Sequence, residues 1–455
     1  MQIIIDREMT MRVSFYTLGC KLNYAESAEL RHRFESSGHT VVEFGDMADA
    51  VIINTCTVTE NADTECRKII RRALRSSPEA YIGVTGCYAQ LQPEEIASIE
   101  GVDGVFGSKE KFRIHELAGD FHKVDVPQVF VSDLEDVGFE ESQSGEGDSR
   151  TRAHLKLQDG CNYNCSFCTI PLARGKSRSM DFGLISAKVE SLVAEGYHEV
   201  ILSGINLGDY VSESGERFTD IVRLMEQTRP QARIRIGSIE PNLLKREIID
   251  MVAQSSVIVP HFHIPLQSGS AEMLRLMRRR YKADYYRELI LTIKQQIPDC
   301  CIGVDVIVGF PGETEEHFSE TFGMLEALPV SYLHVFTYSE RENTPAAVYD
   351  GKVPVHVRKA RTNRLRALSE QKRREFYRSQ LGKEWRVIPE TYHPERGTWS
   401  GWSDNYVRVE FAGAMTLLQQ PLQVRLISFN NDIMTGEVIS TVEEHQWQGY
   451  IPLMV

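Results

Sequence analysis

HLKLQDGCNYNCSFCTIPLARGKSRS, residues 154–179, decides how the rest of this chain is read. The strand candidate HLKLQ leads through Asp159 and Gly160 into Cys161, Cys165 and Cys168, a Cys-x3-Cys-x2-Cys run. Three thiolates can hold three irons of a cubane cluster whose usual complement is four cysteines. The missing fourth ligand leaves one iron open, and an open position separates a catalytic site from a closed structural one. A zinc knuckle and three buried thiols are the competing readings. Zinc calls for a fourth Cys or His nearby, and the next histidine, His198, lies beyond a predicted helix.

Downstream, further strand candidates follow: EVILSG, RIRIGS, VPHFHIPL, IGVDVIVGF and YLHVFTYS, separated by helical segments such as ISAKVESLVAEG. Six strand–helix units predict an open or partial β/α barrel, with a doubly wound sheet as the alternative. Barrel folds place their chemistry at strand carboxyl ends, where Cys161 falls. Val357 to Arg378 reads as a strongly basic helix. Beyond Gly382, WRVIPE, YVRVEF, LQVRLISF and TGEVIS predict a small β-barrel of the size used by oligonucleotide-binding modules.

Upstream, residues 12–125 alternate strands and helices, the pattern of a parallel sheet covered on its faces. Three of these strands run into cysteine: YTLGC at Cys20, IINTC at Cys56 and GVTGC at Cys87. Strand carboxyl ends of a parallel sheet share one edge, so the three thiols can converge. Gly19 and Gly86 allow a tight backbone beside a bulky ligand. Three small buried hydrophobes are the plain alternative, made less attractive by repetition at one structural position. Cys66, Cys300 and Cys301 read as core. Between Ser132 and Asp148 the text turns acidic and Gly/Ser-rich, as a solvated linker does.

With 42% hydrophobic and 25% charged residues over 455 positions, the composition is that of a soluble, multi-domain protein. No stretch approaches the ~18 uninterrupted apolar residues of a membrane span. The opening MQIIIDREMT is too short and too acidic for a signal peptide; it reads as a strand extension, or as a start upstream of Met11. A cytoplasmic protein is expected, and nine cysteines there suggest metal ligands rather than disulfides. A net charge of −13 argues against wholesale coating by nucleic acid but leaves local grip possible through ECRKIIRRALR, LRLMRRRYK and the 357–378 helix. Tyr406, Phe411 and nearby arginines add to such an RNA-binding surface.

TLGCKLN, NTCTVT, GCYAQ, GCNYNCSFCTIPLARGKSRS, LSGINLGDY, HIPLQSGS and DVIVGFPGET together resemble the methylthiotransferase family of radical S-adenosylmethionine enzymes. Gly19-Cys20-Lys21-Leu22-Asn23 and Asn54-Thr55-Cys56-Thr57-Val58-Thr59 resemble the branch acting on N6-threonylcarbamoyladenosine beside the tRNA anticodon. The resemblance implies an α/β chain: an N-terminal parallel α/β domain over 11–125, an acidic linker over 126–150 and a partial (β/α)6 radical barrel over 151–355. A basic helical connector over 356–380 and a TRAM-like β-barrel over 381–455 complete it.

The resemblance further implies two [4Fe–4S] clusters and S-adenosylmethionine as cofactors. Cys161, Cys165 and Cys168 would hold the cluster that cleaves S-adenosylmethionine, and Cys20, Cys56 and Cys87 an auxiliary cluster bearing the sulfur to be transferred. Gly204, Asn206, Glu240, Gln267 and Gly309 stand where the family contacts the cofactor, with turn chemistry or barrel packing as the plain reading of each. Arg174, Lys176 and Arg178 read as partners of the cofactor carboxylate or of tRNA phosphates, or as a solvated cluster. His261 and His263 read as packing residues first and metal ligands second, and Thr314 as a helix cap.

The expected partners are a tRNA anticodon loop and a reductant such as flavodoxin or ferredoxin, with no membrane; a monomer is expected. The alternatives are action on isopentenyladenosine in tRNA or on a ribosomal protein. A non-catalytic two-cluster electron carrier is the alternative of a different class.

Overall fold

AVIINT (Ala50–Thr55) and YIGVTG (Tyr81–Gly86) are buried at every position, as strands covered on both faces must be. They form the middle of a parallel sheet whose order by residue is 40–42, 12–17, 50–55, 81–86, 104–106, 128–130. Val51, Ile53, Ile82 and Val84 pack with Ile69, Ile70 and Ala73 of the Glu60–Ser76 helix on one face. Val13, Phe15, Ile52 and Tyr81 pack with Leu30 and Phe34 of the Lys21–Ser36 helix on the other.

The computed structural model describes residues 10–56, 60–135, 137–145, 151–413 and 420–441. The start of the chain before Thr10, Thr57 to Thr59 and part of the acidic segment lie outside the described residues. The chain divides into two units. The first runs to Ser144 and takes in Gly160–Asn162 and Cys168–Lys176; the second comprises Gly145–Asp159, Tyr163–Phe167 and the chain from Ser177. Gln128–Phe130, inside the segment read as linker, is a strand paired in parallel with Gly104–Phe106. Its acidic surroundings concealed a Gln-Val-Phe edge strand too short to stand out.

In the second unit, strands 152–159, 199–204 and 233–236 pair in parallel, as do 261–263, 301–308 and 332–337. Parallel bridges Ile234–Ile258 and Ser238–His263 connect the two sets. These are the six strands of a partial (β/α)6 barrel. Arg152, His154, Lys156 and Gln158 alternate with Ala153, Leu155 and Leu157 on the first strand, and all are buried. One row packs against helices, and the other is a polar interior.

The 25-residue Val355–Ser379 helix leads into a closed barrel ordered 384–393, 398–403, 408–412, 433–441, 422–430. Trp385, Val387, Trp399, Val409, Leu426 and Met434 form its core with Phe376 and Tyr377 from the helix. Buried ion pairs fix this barrel to the strands before it. Arg235 Nε and Nη2 each lie 2.9 Å from the Glu199 carboxylate, which also meets Arg233, and Arg233 Nη1 reaches Asp404 Oδ1 at 2.8 Å. Burial works against the charge of Glu199, but Arg233 and Arg235 hold its carboxyl well below the usual range.

Candidate active site

The strands 12–17, 50–55 and 81–86 are immediate neighbours in the first unit, so the residues following them lie along one edge of the sheet. Cys20 precedes the Lys21–Ser36 helix, Cys56 follows Thr55, and Cys87 opens the Cys87–Leu91 helix. Thr55 is in register with Gly86, which sets Cys56 and Cys87 level. Cys20 is exposed, whereas Cys56 and Cys87 are buried. Gly19 (φ +115°) and Gly86 (φ +101°) both occupy the left-handed region. A Cβ on Gly19 would lie 2.7 Å from Cys56 Cβ, and one on Gly86 would overlap the Thr55 carbonyl oxygen. Glycine is required there by the neighbouring strand end as well as by φ.

A buried polar network stands behind this edge. Asn23 Nδ2 donates to the carbonyls of Leu18 (2.8 Å) and Thr55 (3.0 Å), tying the ends of two cysteine strands together. Asn54 Nδ2 donates to Asn23 O at 3.0 Å. Arg174 donates to Asn23 Oδ1 (2.7 Å) and Glu26 Oε1 (2.8 Å), and Lys111 Nζ lies 2.7 Å from Glu26 Oε2. Burial pushes the Cys87 thiol pKa up, and Arg174 and Lys111 pull against that. The expectation that Arg174 meets a cofactor carboxylate, a phosphate or solvent is therefore corrected. It is 1% exposed and committed to Glu26 and Asn23. Arg178 is also engaged, 2.7 Å from Asp159 Oδ2, and Lys176 is exposed.

The Cys161–Cys168 loop is held from its backbone. Cys161 N donates to Gly175 O at 3.1 Å, and Gly160 has φ +68° with the Lys176 carbonyl against its α-carbon. In the second unit, Ser166 bonds Met277 O through N (3.2 Å) and Leu276 O through Oγ (2.7 Å). Arg279 Nη1 lies 3.1 Å from Cys165 Sγ, and its Nη2 meets Glu240. Burial disfavours the Arg279 charge, yet Tyr281, Glu240 and Cys165 hold its pKa well above the ordinary value.

Of the other candidates, Gly204 ends its strand and Asn206 is 3% exposed. Asn206 N donates to Gln158 Oε1 at 2.8 Å. Both side-chain amide atoms of Asn206, and Oε1 of Gln267, are buried without a hydrogen-bond partner among the described residues. Such atoms are costly unless a ligand or water satisfies them. Glu240 is held by Arg279. Gly309 (φ +78°) has its Cβ space filled by Arg358, so packing accounts for this glycine without an adenine ring.

Family models match both halves of this arrangement: Uncharacterized protein family UPF0004 at residues 12–107 and the Radical SAM superfamily at residues 155–325. The threonylcarbamoyladenosine tRNA methylthiotransferase MtaB of Bacillus subtilis (strain 168) is 38% identical over 95% of this chain and 97% of its own length. The chain belongs to the methylthiotransferase family of radical S-adenosylmethionine enzymes. A tRNA-2-methylthio-N(6)-dimethylallyladenosine synthase of Fusobacterium nucleatum is 32% identical over 94% of this chain and 100% of that one. The radical S-adenosylmethionine methyltransferase TsrM from Kitasatospora setae shares the fold, with a TM-score of 0.54 at 16% identity over 74% of this chain and 75% of that one.

Within the Val355–Ser379 helix, Arg358 bonds Glu340 and Tyr338 O, Arg361 bonds Glu313, and Lys372 bonds the carbonyl of Leu328. These three are buried, which corrects the reading of the whole segment as an RNA-facing stripe. Lys359, Arg366 and Arg378 on the same helix are exposed. Phe411, expected at the RNA surface, is 2% exposed and belongs to the barrel core. Tyr406 stacks on Trp402 with ring centroids 4.5 Å apart. Both line a cavity of about 680 Å³ with Arg373, Arg396 and Arg408.

Sequence reasoning missed the roles of Asn23 and Glu26 in the Lys21–Ser36 helix, of Lys111 in a single 3-10 turn, and of Arg279, which was read only as part of the basic stretch LRLMRRRYK. Asn23, directly within the GCKLN motif, was the one with a local signal. His261 packs beneath Tyr332 as expected (Nε2–OH 3.1 Å), and Thr314 caps the Glu315–Ala327 helix by accepting from His317 N at 3.3 Å. No helix among the described residues is long and apolar enough to cross a membrane.

Proposed function

We propose that this chain converts N6-threonylcarbamoyladenosine at position 37 of tRNA to its 2-methylthio derivative. Two [4Fe–4S] clusters and S-adenosylmethionine would be its cofactors. The observation that carries the reading is the pairing of two thiol sets: Cys161, Cys165 and Cys168 in the radical motif, and Cys20, Cys56 and Cys87 on adjacent strand ends. Each set offers three soft donors, one short of a closed cluster site. The substrate assignment is supported by the name of the Bacillus subtilis relative.

The residues present fit these groups. All six donors are cysteine sulfurs, and the unpartnered amide atoms of Asn206 and Gln267 suit a polar ligand such as S-adenosylmethionine. When bound, the clusters and S-adenosylmethionine supply reductive radical chemistry and the methyl and sulfur groups. The chain's own part is to hold and shield. Arg279 hydrogen-bonds Cys165 Sγ, which draws electron density from that sulfur and fixes its rotamer. Asn23 fixes the turn before Cys20 to the strand end before Cys56. Exposed Lys359, Arg366 and Arg378 offer phosphate contacts. A single-stranded anticodon loop, whose base can leave its stack, suits an enclosed site better than a duplex does. We place the reaction in the cytoplasm, with a monomer reduced by flavodoxin or ferredoxin.

The deciding experiment is nucleoside mass analysis of tRNA from cells lacking the protein. Loss of the methylthio group from threonylcarbamoyladenosine, with the isopentenyl derivative intact, is expected. The reverse pattern would assign the chain to the substrate named for the Fusobacterium relative. Intact methylthiolation of both nucleosides would overturn a tRNA substrate.

A further inference from the structure

We infer that His263, Asp305 and His334 form a binding site for one divalent first-row transition ion, separate from the thiol sets. The three residues come from three neighbouring parallel strands: 261–263, 301–308 and 332–337. Gly303 is in register with His263, and Asp305 with His334. Their ligand atoms all lie within 4.8 Å of one another. His263 Nε2 is 2.9 Å from Asp305 Oδ1, and the two imidazole rings stand 5.4 Å apart, inclined at 64°.

Two imidazoles and one carboxylate on one face are the donor set of facial metal sites with open positions, and imidazole suits zinc, iron, nickel and copper. Metal–ligand bonds of about 2.0–2.2 Å would bring the donors somewhat closer together. His334 is exposed, whereas the side chains of His263 and Asp305 are only 18% and 21% exposed.

The surroundings of Asp305 favour a cation from outside the chain. Glu26, Glu199, Glu240 and Glu313 are each met by an arginine. Among the described residues Asp305 has an ion-pair partner only in His263, which carries charge only when protonated. A half-buried carboxylate whose only ion-pair partner among the described residues is an imidazole suits compensation by a divalent ion. His334 also borders the cavity of about 680 Å³, so open positions on the ion would be reachable by water or by an oxygen-bearing ligand. The site contains no sulfur, and hard or borderline ions therefore select it over the thiols.

The test uses the full chain with its clusters assembled anaerobically, dialysed to equilibrium against zinc chloride, with zinc, iron and sulfide measured. Wild type is compared with His334→Ala, an exposed position where the fold is safe, and with the near-isosteric Asp305→Asn. Wild type should retain a single zinc ion per chain beyond its iron. Each variant should bind it at least ~10-fold more weakly with iron unchanged. Equal retention by wild type and both variants, or none by wild type, would overturn the site.

Discussion

Arg174 and Glu26 face each other in a two-point ion pair, with Nη1–Oε1 at 2.8 Å and Nη2–Oε2 at 3.2 Å, each residue 1% exposed. Asn23 and Lys111 complete the set. Removing one partner strands the other charge away from water. Arg174→Ala is expected to lower stability by about 3–5 kcal/mol, read from urea unfolding followed by circular dichroism. A loss below about 1 kcal/mol would show that the pair is solvated and the network unimportant.

Arg279 holds Cys165 Sγ and the Glu240 carboxylate together. Arg279→Ala should reduce the rate of S-adenosylmethionine cleavage by ~10- to 100-fold. Lysine cannot span both acceptors with a planar fork, so Arg279→Lys should restore little of it. Full activity in either variant, measured as 5′-deoxyadenosine release, would contradict this role.

The two thiol sets should separate cleanly. Changing Cys20, Cys56 and Cys87 together to Ala should remove about half of the iron and leave S-adenosylmethionine cleavage intact. Changing Cys161, Cys165 and Cys168 should abolish cleavage. Iron that does not fall in the first variant would sink the second cluster, and cleavage that survives in the second would sink the radical site.

Acid should loosen the join between the radical barrel and the terminal barrel. The Glu199 carboxyl lies well below its usual range because Arg233 and Arg235 outweigh the opposing effect of burial. A depressed folded-state pKa contributes stability above the unfolded value, about 4.3, and that contribution fades as pH falls toward the folded value. Glu199→Gln should destabilise the chain by about 3–5 kcal/mol at neutral pH and flatten the acid limb of stability against pH. An unchanged acid limb would remove Glu199 from the account.

Exposed Lys359 and Arg366 are seven positions apart on the Val355–Ser379 helix and so share a face. Replacing both with Ala should weaken tRNA binding and reduce the slope of log affinity against log salt by roughly 1.5–2. Arg361→Ala should instead cost stability, because Arg361 is buried against Glu313. Filter binding across a salt series distinguishes them; an unchanged slope in the double variant would move the RNA surface elsewhere.

By itself the sequence determined the strands, the spacing of Cys161, Cys165 and Cys168, and the repetition of cysteine after three strands, because these are local patterns of hydrophobicity and spacing. The alternation of strands such as VIINT and YIGVT with helices marked a doubly covered sheet, and the glycines before Cys20 and Cys87 marked tight turns. Tertiary structure alone decided where charge goes. Arg174, Arg358, Arg361 and Arg279 read as basic surface in one dimension, yet each is buried against a carboxylate. An ion pair between residues as far apart as Glu26 and Arg174 leaves no local trace, since its energy depends on burial and partner geometry. For the same reason Asp305 and His334, each unremarkable on its own strand, join His263 in a constellation only when three strands are laid side by side.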